Sequence, residues 1–407
     1  MEKIKSKNGK PYAVLIDMDY LTGLQSSRLL AERGVPILGL ANNPSHYCAS
    51  TNTCEKVFKV DTKSQELIDL LMEMGPKFEL KPVLYPCQDN SVLLVSRNRL
   101  QLSKFYHISL PSEETVELLM DKYKFYDFAV RENLPVAKFY LLKSKEDAIT
   151  VAKHLTFPAI IKPPMKSAKW EQYSKLHKVY KVFSEEEYLK TYEMCSQWAD
   201  TLMVQEWIVG TDSDLYSSNC YYNSKSEPLA TFTAKKLRQW PPETGNTALG
   251  IDCIDDEVVR ISHELFKKVN YVGLVYLELK KDIRTGKYYI IEPNIGRPTG
   301  RSALSEACGV DLLYTMYCDC LGLPLPSSRF QTYKGIKWIH IRTDLQSAIN
   351  YWKKDQLTIG EYFKSVSGPK YFAVFSLKDP KPFLGEMKLI LAFIFKSLFS
   401  GKKLEQT

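Results

Sequence analysis

No apolar run in the 407 residues reaches the roughly 18 that a membrane-spanning helix needs. The chain opens Met1-Glu-Lys-Ile-Lys-Ser-Lys without an apolar signal core, and it holds no internal repeat or low-complexity run. A conventional membrane protein, a secreted chain and a solenoid are therefore not expected. The nine cysteines, an odd number spread along the chain, argue against a disulfide framework and for a reducing, cytoplasmic setting. Cys318 and Cys320, two apart on an expected helix, point in different directions and make a poor metal pair. The six histidines, His46, His107, His154, His177, His263 and His340, show no metal-ligating spacing and stand beside no nucleophile motif. The net charge of +8 is spread along the chain and comes with no nucleic-acid signature. It suits anionic ligands or surfaces, and nucleic acid is not an expected partner.

What is present is an ordinary globular composition, 44% hydrophobic and 25% charged, in a length that gives about two to three domains. The first segment reads strand, helix, strand: Tyr12 to Ile16, Leu24 to Arg33, Gly34 to Leu40. Further alternation follows through Phe58 to Val60, Ser64 to Met74 and Pro82 to Pro86, a βαβ start with buried parallel strands. The turn Asp17 to Gly23 has one glycine and two acids, so it is a weak phosphate candidate. A new unit opens near Ser112, whose Ser-Glu-Glu-Thr resembles a helix start. It contains strands around Lys138 to Leu142 and Phe157 to Pro163. The strand Thr201 to Ile208 opens a third unit, which runs to about Pro326. The expected divisions are 1–111, 112–200, 201–326 and 327–407.

The most informative segment is Val272 to Asn294. Both arms carry strand-forming residues, Asp282 to Gly286 supplies a turn, and a period of two puts Glu292 and Asn294 on one face. If Asp282 pairs with Tyr288, Glu278 faces Glu292. Like charges directly opposite on paired strands repel unless a cation lies between them. Two carboxylates and an amide oxygen are hard ligands suited to Mg²⁺, with Mn²⁺ as an alternative, shared with a nucleotide's phosphates. An amphipathic hairpin with a solvated acidic face is the competing reading.

Cations for the phosphates are available. Lys162 ends the apolar strand Ala159 to Ile161, Lys122 lies in Met120 to Lys124, and Lys235, Lys236 and Arg238 lie in Phe232 to Gln239. Any one of these lysines is more often a solvated surface group. The segment Gln205 to Asp212 can clamp a base through its backbone and bring Asp212 near a ribose.

In this order the pieces resemble the ATP-grasp superfamily, in particular its carboxylate–amine ligases such as D-aspartate ligase, from about Tyr12 to Pro326. The resemblance implies an α/β and α+β architecture: an N-terminal βαβ parallel-sheet domain, a two-lobed ATP-grasp fold with the nucleotide between two sheets, and a C-terminal helical appendage. It implies that Lys122 and Lys162 contact phosphates and that Gln205, Glu206, Trp207 and Ile208 form the adenine hinge, with Asp212 on the ribose. Glu278, Glu292 and Asn294 are then the metal ligands. Lys236 or Lys235, with Arg238, approaches the phosphates or the acyl group, and Arg297 and Arg301 face the substrate. Two departures stand out. The usual Asn-Pro-Arg is Asn294-Ile-Gly-Arg297, leaving the arginine role open between Arg297 and Arg301. The segment from Pro163 to Lys175 has no glycine, so Ser167, Lys169 or Lys178 is expected in place of a glycine-rich phosphate lid.

The implied activity is formation of an amide from a small-molecule carboxylate and an amine through an acyl phosphate, at the expense of ATP. The alternative is a nucleotide-binding sensor or scaffold that has lost turnover. The tract 383–403 carries seven consecutive apolar residues, Leu389 to Phe395, flanked by lysines. It is a candidate for peripheral contact with the inner face of a membrane, or for packing on the body or on the second subunit of a homodimer.

Overall fold

The computed structural model describes residues 3–6, 8–164, 167–174 and 179–399. Its first sheet holds β1 (Ala13–Ile16), β2 (Ile37–Ala41), β3 (Lys56–Lys59) and β4 (Val83–Tyr85), all parallel in the order β3-β2-β1-β4. β1 and β2 are buried at every position, which is why they read as continuous apolar runs and not as alternations. The turn after β1 is structural: Asp17 takes φ +66° and its buried carboxylate accepts from the Ser91 hydroxyl at 2.5 Å. A Cβ on Gly23 would lie 2.6 Å from the Asp17 carbonyl oxygen, so the close approach of the following helix, Leu21–Glu32, requires glycine there.

The second sheet contains β5 (Phe139–Leu142), β6 (Ala159–Lys162), β7 (Tyr180–Val182) and β8 (Leu202–Glu206), in the order β5-β8-β6-β7. β8, expected to open the third unit, is instead interior to this sheet and antiparallel to both neighbours. Its first four residues are buried, and placement between two strands satisfies both edges of its backbone. A separate core of Leu142, Ile161, Trp170, Val182, Tyr188 and Val204 lies beneath it.

The third sheet has seven strands in the order β13-β12-β9-β10-β11-β14-β15. These are β9 (Leu215–Tyr222), β10 (Pro228–Trp240), β11 (Asn246–Asp252), β12 (Gly273–Lys281), β13 (Tyr288–Ile295), β14 (Lys337–Ile339) and β15 (Lys370–Phe372). Two cores join it to the first sheet, one including Val14, Leu40, Val275 and Leu277, the other Leu15, Tyr221, Phe232 and Trp338. The segment after Pro326 contributes two strands to this sheet as well as the helices Ile341–Trp352 and Ile359–Val366, so the expected helical appendage is part of the large lobe's framework.

The last described element is the helix Lys381–Phe399. Its first half docks on the body. Glu386 is 1% exposed and lies 2.6 Å from His340 Nε2 and 3.5 Å from Arg342 Nε, and a Cβ on Gly385 would meet the Tyr47 side chain at 2.5 Å. Residues 400–403 of the expected membrane tract lie outside the described residues. Among the described residues no helix is long and apolar enough to cross a membrane.

Candidate active site

The acidic hairpin has the pairing that the spacing predicts for its acids: Glu278 is the register partner of Glu292, and Tyr276 of Asn294. The turn itself is offset by one, with Lys281 and not Asp282 opposite Tyr288. A register shift between Glu278 and Leu279 absorbs the difference, because Leu279 pairs with Ile290 and Glu278 with Glu292, leaving Ile291 as the extra residue. Without that bulge Glu278 would face Ile291, and every side chain of one arm would change faces. The Tyr126 hydroxyl donates to the Ile291 carbonyl at 2.8 Å and so holds the bulge.

Around this pair the structure gathers cations from four elements. Lys236 Nζ on β10 donates to Glu278 Oε1 at 3.1 Å, to Gln239 Oε1 at 3.0 Å and to the Gly245 carbonyl at 3.4 Å. Arg301, in the helix Gly300–Ala307, lies 3.6 Å from Glu278 Oε2 and donates to Thr247 Oγ1. Lys122 Nζ stands 3.6 Å from Glu292 Oε2. Lys162, 6% exposed, donates to Gln205 Oε1 at 2.8 Å and lies 5.3 Å from the centre of the Tyr126 ring. Burial pushes the Lys162 ammonium down to about 7, neighbouring Lys122 pushes it the same way, and Glu292 opposes them. Burial works to raise Glu278, but Lys236 and Arg301 outweigh it and leave the carboxyl below its ordinary value. Burial also lowers Lys236.

Asn294 Oδ1 accepts from Arg297 NH2 at 2.7 Å, while Arg297 Nε reaches Asp89 Oδ1 at 2.5 Å. Arg297 is thus a strut between the helix Asp89–Arg97 and the hairpin. Arg301 is 5% exposed, its guanidinium lies 4.7 Å from the Tyr276 ring centre, and among the described residues its NH1 has no hydrogen-bond partner. Of the two arginines, Arg301 is the one that borders the carboxylates.

Several expected residues lie elsewhere. Arg238 does not join Lys236. The register shifts on either side of it along β10, and its guanidinium is held by Asp344 at 2.8 and 2.9 Å and by Ser365 at 2.5 Å. Lys235 lines a cavity with Leu237, Ile251, Tyr333, Lys337 and Ser365, so Lys236 is the lysine of the pair that meets Glu278. Asp212 is 5% exposed and fully engaged: Gln239 N and Nε2, the Glu243 N–H and the Tyr351 hydroxyl all donate to it. A ribose would have to displace one of them. Gln205, expected in the hinge, holds Lys162 instead. Glu206 N donates to the Lys138 carbonyl and Trp207 N to the Pro158 carbonyl, while Ile208 is buried. Lys178 lies outside the described residues. Ser167 caps the short helix Ala168–Tyr173 by accepting from Trp170 N.

Sequence reasoning missed Tyr276, whose hydroxyl donates to Glu278 Oε2 at 2.7 Å, and Gln239, which bridges Lys236 to Asp212. The period of two on β12 carried the signal for Tyr276, since it precedes Glu278 by two.

The residues suit a metal shared with a polyanion. Among the described residues no group of three or more His, Cys, Asp or Glu is placed to hold an ion, so two carboxylates and an amide would need oxygens from a phosphorylated ligand to complete a hard cation's shell. The surrounding Lys122, Lys162, Lys236 and Arg301 supply the positive charge such a ligand requires.

Comparison with solved structures gives the architecture a name. N5-carboxyaminoimidazole synthetase from Staphylococcus aureus, complexed with ADP, superposes with a TM-score of 0.61 at 14% identity, covering 81% of each chain. The biotin carboxylase domain of 2-oxoglutarate carboxylase from Hydrogenobacter thermophilus, complexed with MgADP and bicarbonate, superposes with a TM-score of 0.60 at 16% identity, covering 78% of this chain and 71% of that one. The chain has the ATP-grasp fold. In sequence it is 23% identical over 237 residues to a D-aspartate ligase of Enterococcus faecium (strain Aus0004). That match takes in 55% of this chain and 54% of the relative, so the aligned part spans about half the length of the curated protein. No family model matches. The acidic hairpin lies on the seven-stranded sheet and Lys162 on the sheet ordered β5-β8-β6-β7.

Proposed function

We propose that the protein is an ATP- and Mg²⁺-dependent carboxylate–amine ligase, with Mn²⁺ able to replace Mg²⁺. The observation that carries the reading is the facing pair Glu278 and Glu292, bulge-registered on one sheet and ringed by Lys122, Lys162, Lys236 and Arg301. The ATP-grasp fold and the likeness to a protein named D-aspartate ligase support it.

In this reading Glu278, Glu292 and Asn294 hold the ion, whose charge offsets that of the phosphates. Lys122 and Lys162 bind the phosphates and Lys236 approaches the group in transfer. An oxygen of the substrate carboxylate attacks the γ-phosphorus of ATP, the bond to the β-phosphate oxygen breaks, and ADP leaves. The amine nitrogen then attacks the acyl carbon of the acyl phosphate. The carbon–oxygen bond to phosphate breaks, the nitrogen gives up its proton, and an amide and inorganic phosphate result. Arg301, whose NH1 has no partner among the described residues, holds the acyl group. The protein supplies position, charge and exclusion of water, and needs no nucleophilic side chain.

The experiment is a screen for ADP and phosphate release with Mg²⁺, ATP and pairs of amino acids or sugar acids with amines. Glu292→Gln is expected to abolish release, and full turnover by that variant would refute the metal role. The glycine-free segment after Lys162 favours a second reading, a nucleotide-binding sensor or scaffold. Nucleotide binding without ADP formation from any pair would select it.

On the same footing we propose peripheral membrane contact through 383–403. Leu384, Leu389 and Leu391 are exposed in a helix that also carries Lys381 and Lys388, a pattern that suits an anionic interface.

A further inference from the structure

Lys280 follows Glu278 by two on β12, so the two side chains leave the same face about 7 Å apart along the strand. Lys280 is 4% exposed, and its ammonium stands 4.2 Å from the centre of the Trp207 ring, just beyond β8. Among the described residues that ammonium makes no hydrogen bond or ion pair. Lys181 on β7 also reaches the ring, at 4.4 Å, but Glu243 answers its charge at 3.0 Å. Asp212 acts on Lys280 only at longer range, its own oxygens being taken by Gln239, Glu243 and Tyr351. A largely buried ammonium whose neighbouring carboxylates, Asp212, Glu243 and Asp214, act only at longer range keeps donors for a molecule that enters the cleft.

The inference rests on the reading of this cleft as a nucleotide site. The polyphosphate end is fixed at Glu278, Glu292 and Lys162. Along β12 in the direction of Tyr276 the cleft is closed by Arg301 of the helix Gly300–Ala307. In the other direction lie an indole ring and Lys280. We propose that Lys280 is a specificity-determining residue that donates a hydrogen bond to an acceptor atom on the edge of the nucleotide base, with Trp207 as the aromatic wall beside it. An ammonium can only donate, so it pairs with a ring nitrogen or a carbonyl oxygen of the base and not with an exocyclic amine.

The test is calorimetric titration of the full chain with Mg²⁺ and ADP, and separately with Mg²⁺ and inorganic pyrophosphate as a probe without a base. Lys280→Met is expected to weaken ADP binding about 10- to 100-fold, the worth of one hydrogen bond to a charged donor. Pyrophosphate affinity should stay within about twofold, which also shows that the variant is folded, and Lys280→Arg should retain most of the ADP affinity. Unchanged ADP affinity in Lys280→Met would overturn the proposal. So would an equal loss for both probes, which would make Lys280 a phosphate contact. If the unmodified protein binds pyrophosphate and not ADP, the base contact is wrong while the anion site stands. If it binds neither, the nucleotide reading falls and this one with it.

Discussion

Lys162 shows how a single side chain is tuned by its surroundings. Its ammonium is buried against Tyr126 and Gln205, and burial together with Lys122 brings it down to about 7. Because its charge in the folded protein is lost as pH rises through that value, nucleotide phosphate is expected to bind with proton uptake, and affinity to fall from pH 7 toward pH 9. The check is titration in buffers of different ionisation heat, and Lys162→Arg, which stays charged, should flatten the profile. Sign also matters for stability: folding disfavours the charged form, so this lysine costs stability at low pH and the cost disappears as pH climbs toward its unfolded value. A second residue-scale prediction concerns Arg238. Since it and Asp344 are both buried and joined by two hydrogen bonds, Asp344→Ala leaves an unpaired buried guanidinium. A loss of about 3–5 kcal/mol is expected in chemical denaturation. The family resemblance placed Arg238 together with Lys236 or Lys235, and the irregular pairing of β10 at that point is what separates it from Lys236.

At the scale of elements, the bulge at Ile291 determines whether the acids meet. Deleting Ile291 should leave a regular ladder in which Glu278 still faces Glu292, so Mg²⁺-dependent nucleotide binding is expected to persist, and its loss would show that the bulge shapes the site beyond setting the register. Metal-free pyrophosphate should still bind through the lysines. The Tyr126 hydroxyl that holds the bulge offers a gentler probe: Tyr126→Phe is expected to cost about 1 kcal/mol of stability and to weaken the Mg²⁺-dependent component of nucleotide affinity more than the metal-free component. Hairpin and turn chemistry made both acids legible in the sequence, because alternating strand residues and the Asp282 to Gly286 turn confine the register to within one residue. The last residue of register depended on a carbonyl captured by Tyr126, 165 positions away, and no local pattern carries that.

Across the whole molecule, the large sheet binds the N-terminal unit, the acidic hairpin and the C-terminal strands into one framework. The terminal helix is tied to that framework through Glu386, and Glu386→Ala should lower stability, read as a reduced Tm, by exposing His340 and Arg342 to an unfilled polar site. The outward leucines permit a separate test. Leu389→Glu with Leu391→Glu leaves Glu386 in place, and is expected to abolish co-sedimentation with anionic vesicles while preserving Tm. Sedimentation equal to that of the unmodified chain would end the membrane proposal.

By itself the sequence determined the parallel βαβ start, because strands buried on both faces must be continuously apolar. It also determined the acidic hairpin, because a period of two cannot put Glu292 and Asn294 on different faces. Which cations surround the acids was decided only by tertiary structure. Whether Lys236 or Arg238 turns inward depends on an irregularity in β10, whether Asp212 stays open depends on Gln239 and Tyr351, and β8 enters the small sheet because two strands distant in sequence need its backbone between them. Those outcomes follow from long-range packing and hydrogen bonding, which leave no mark at short spacing along the chain.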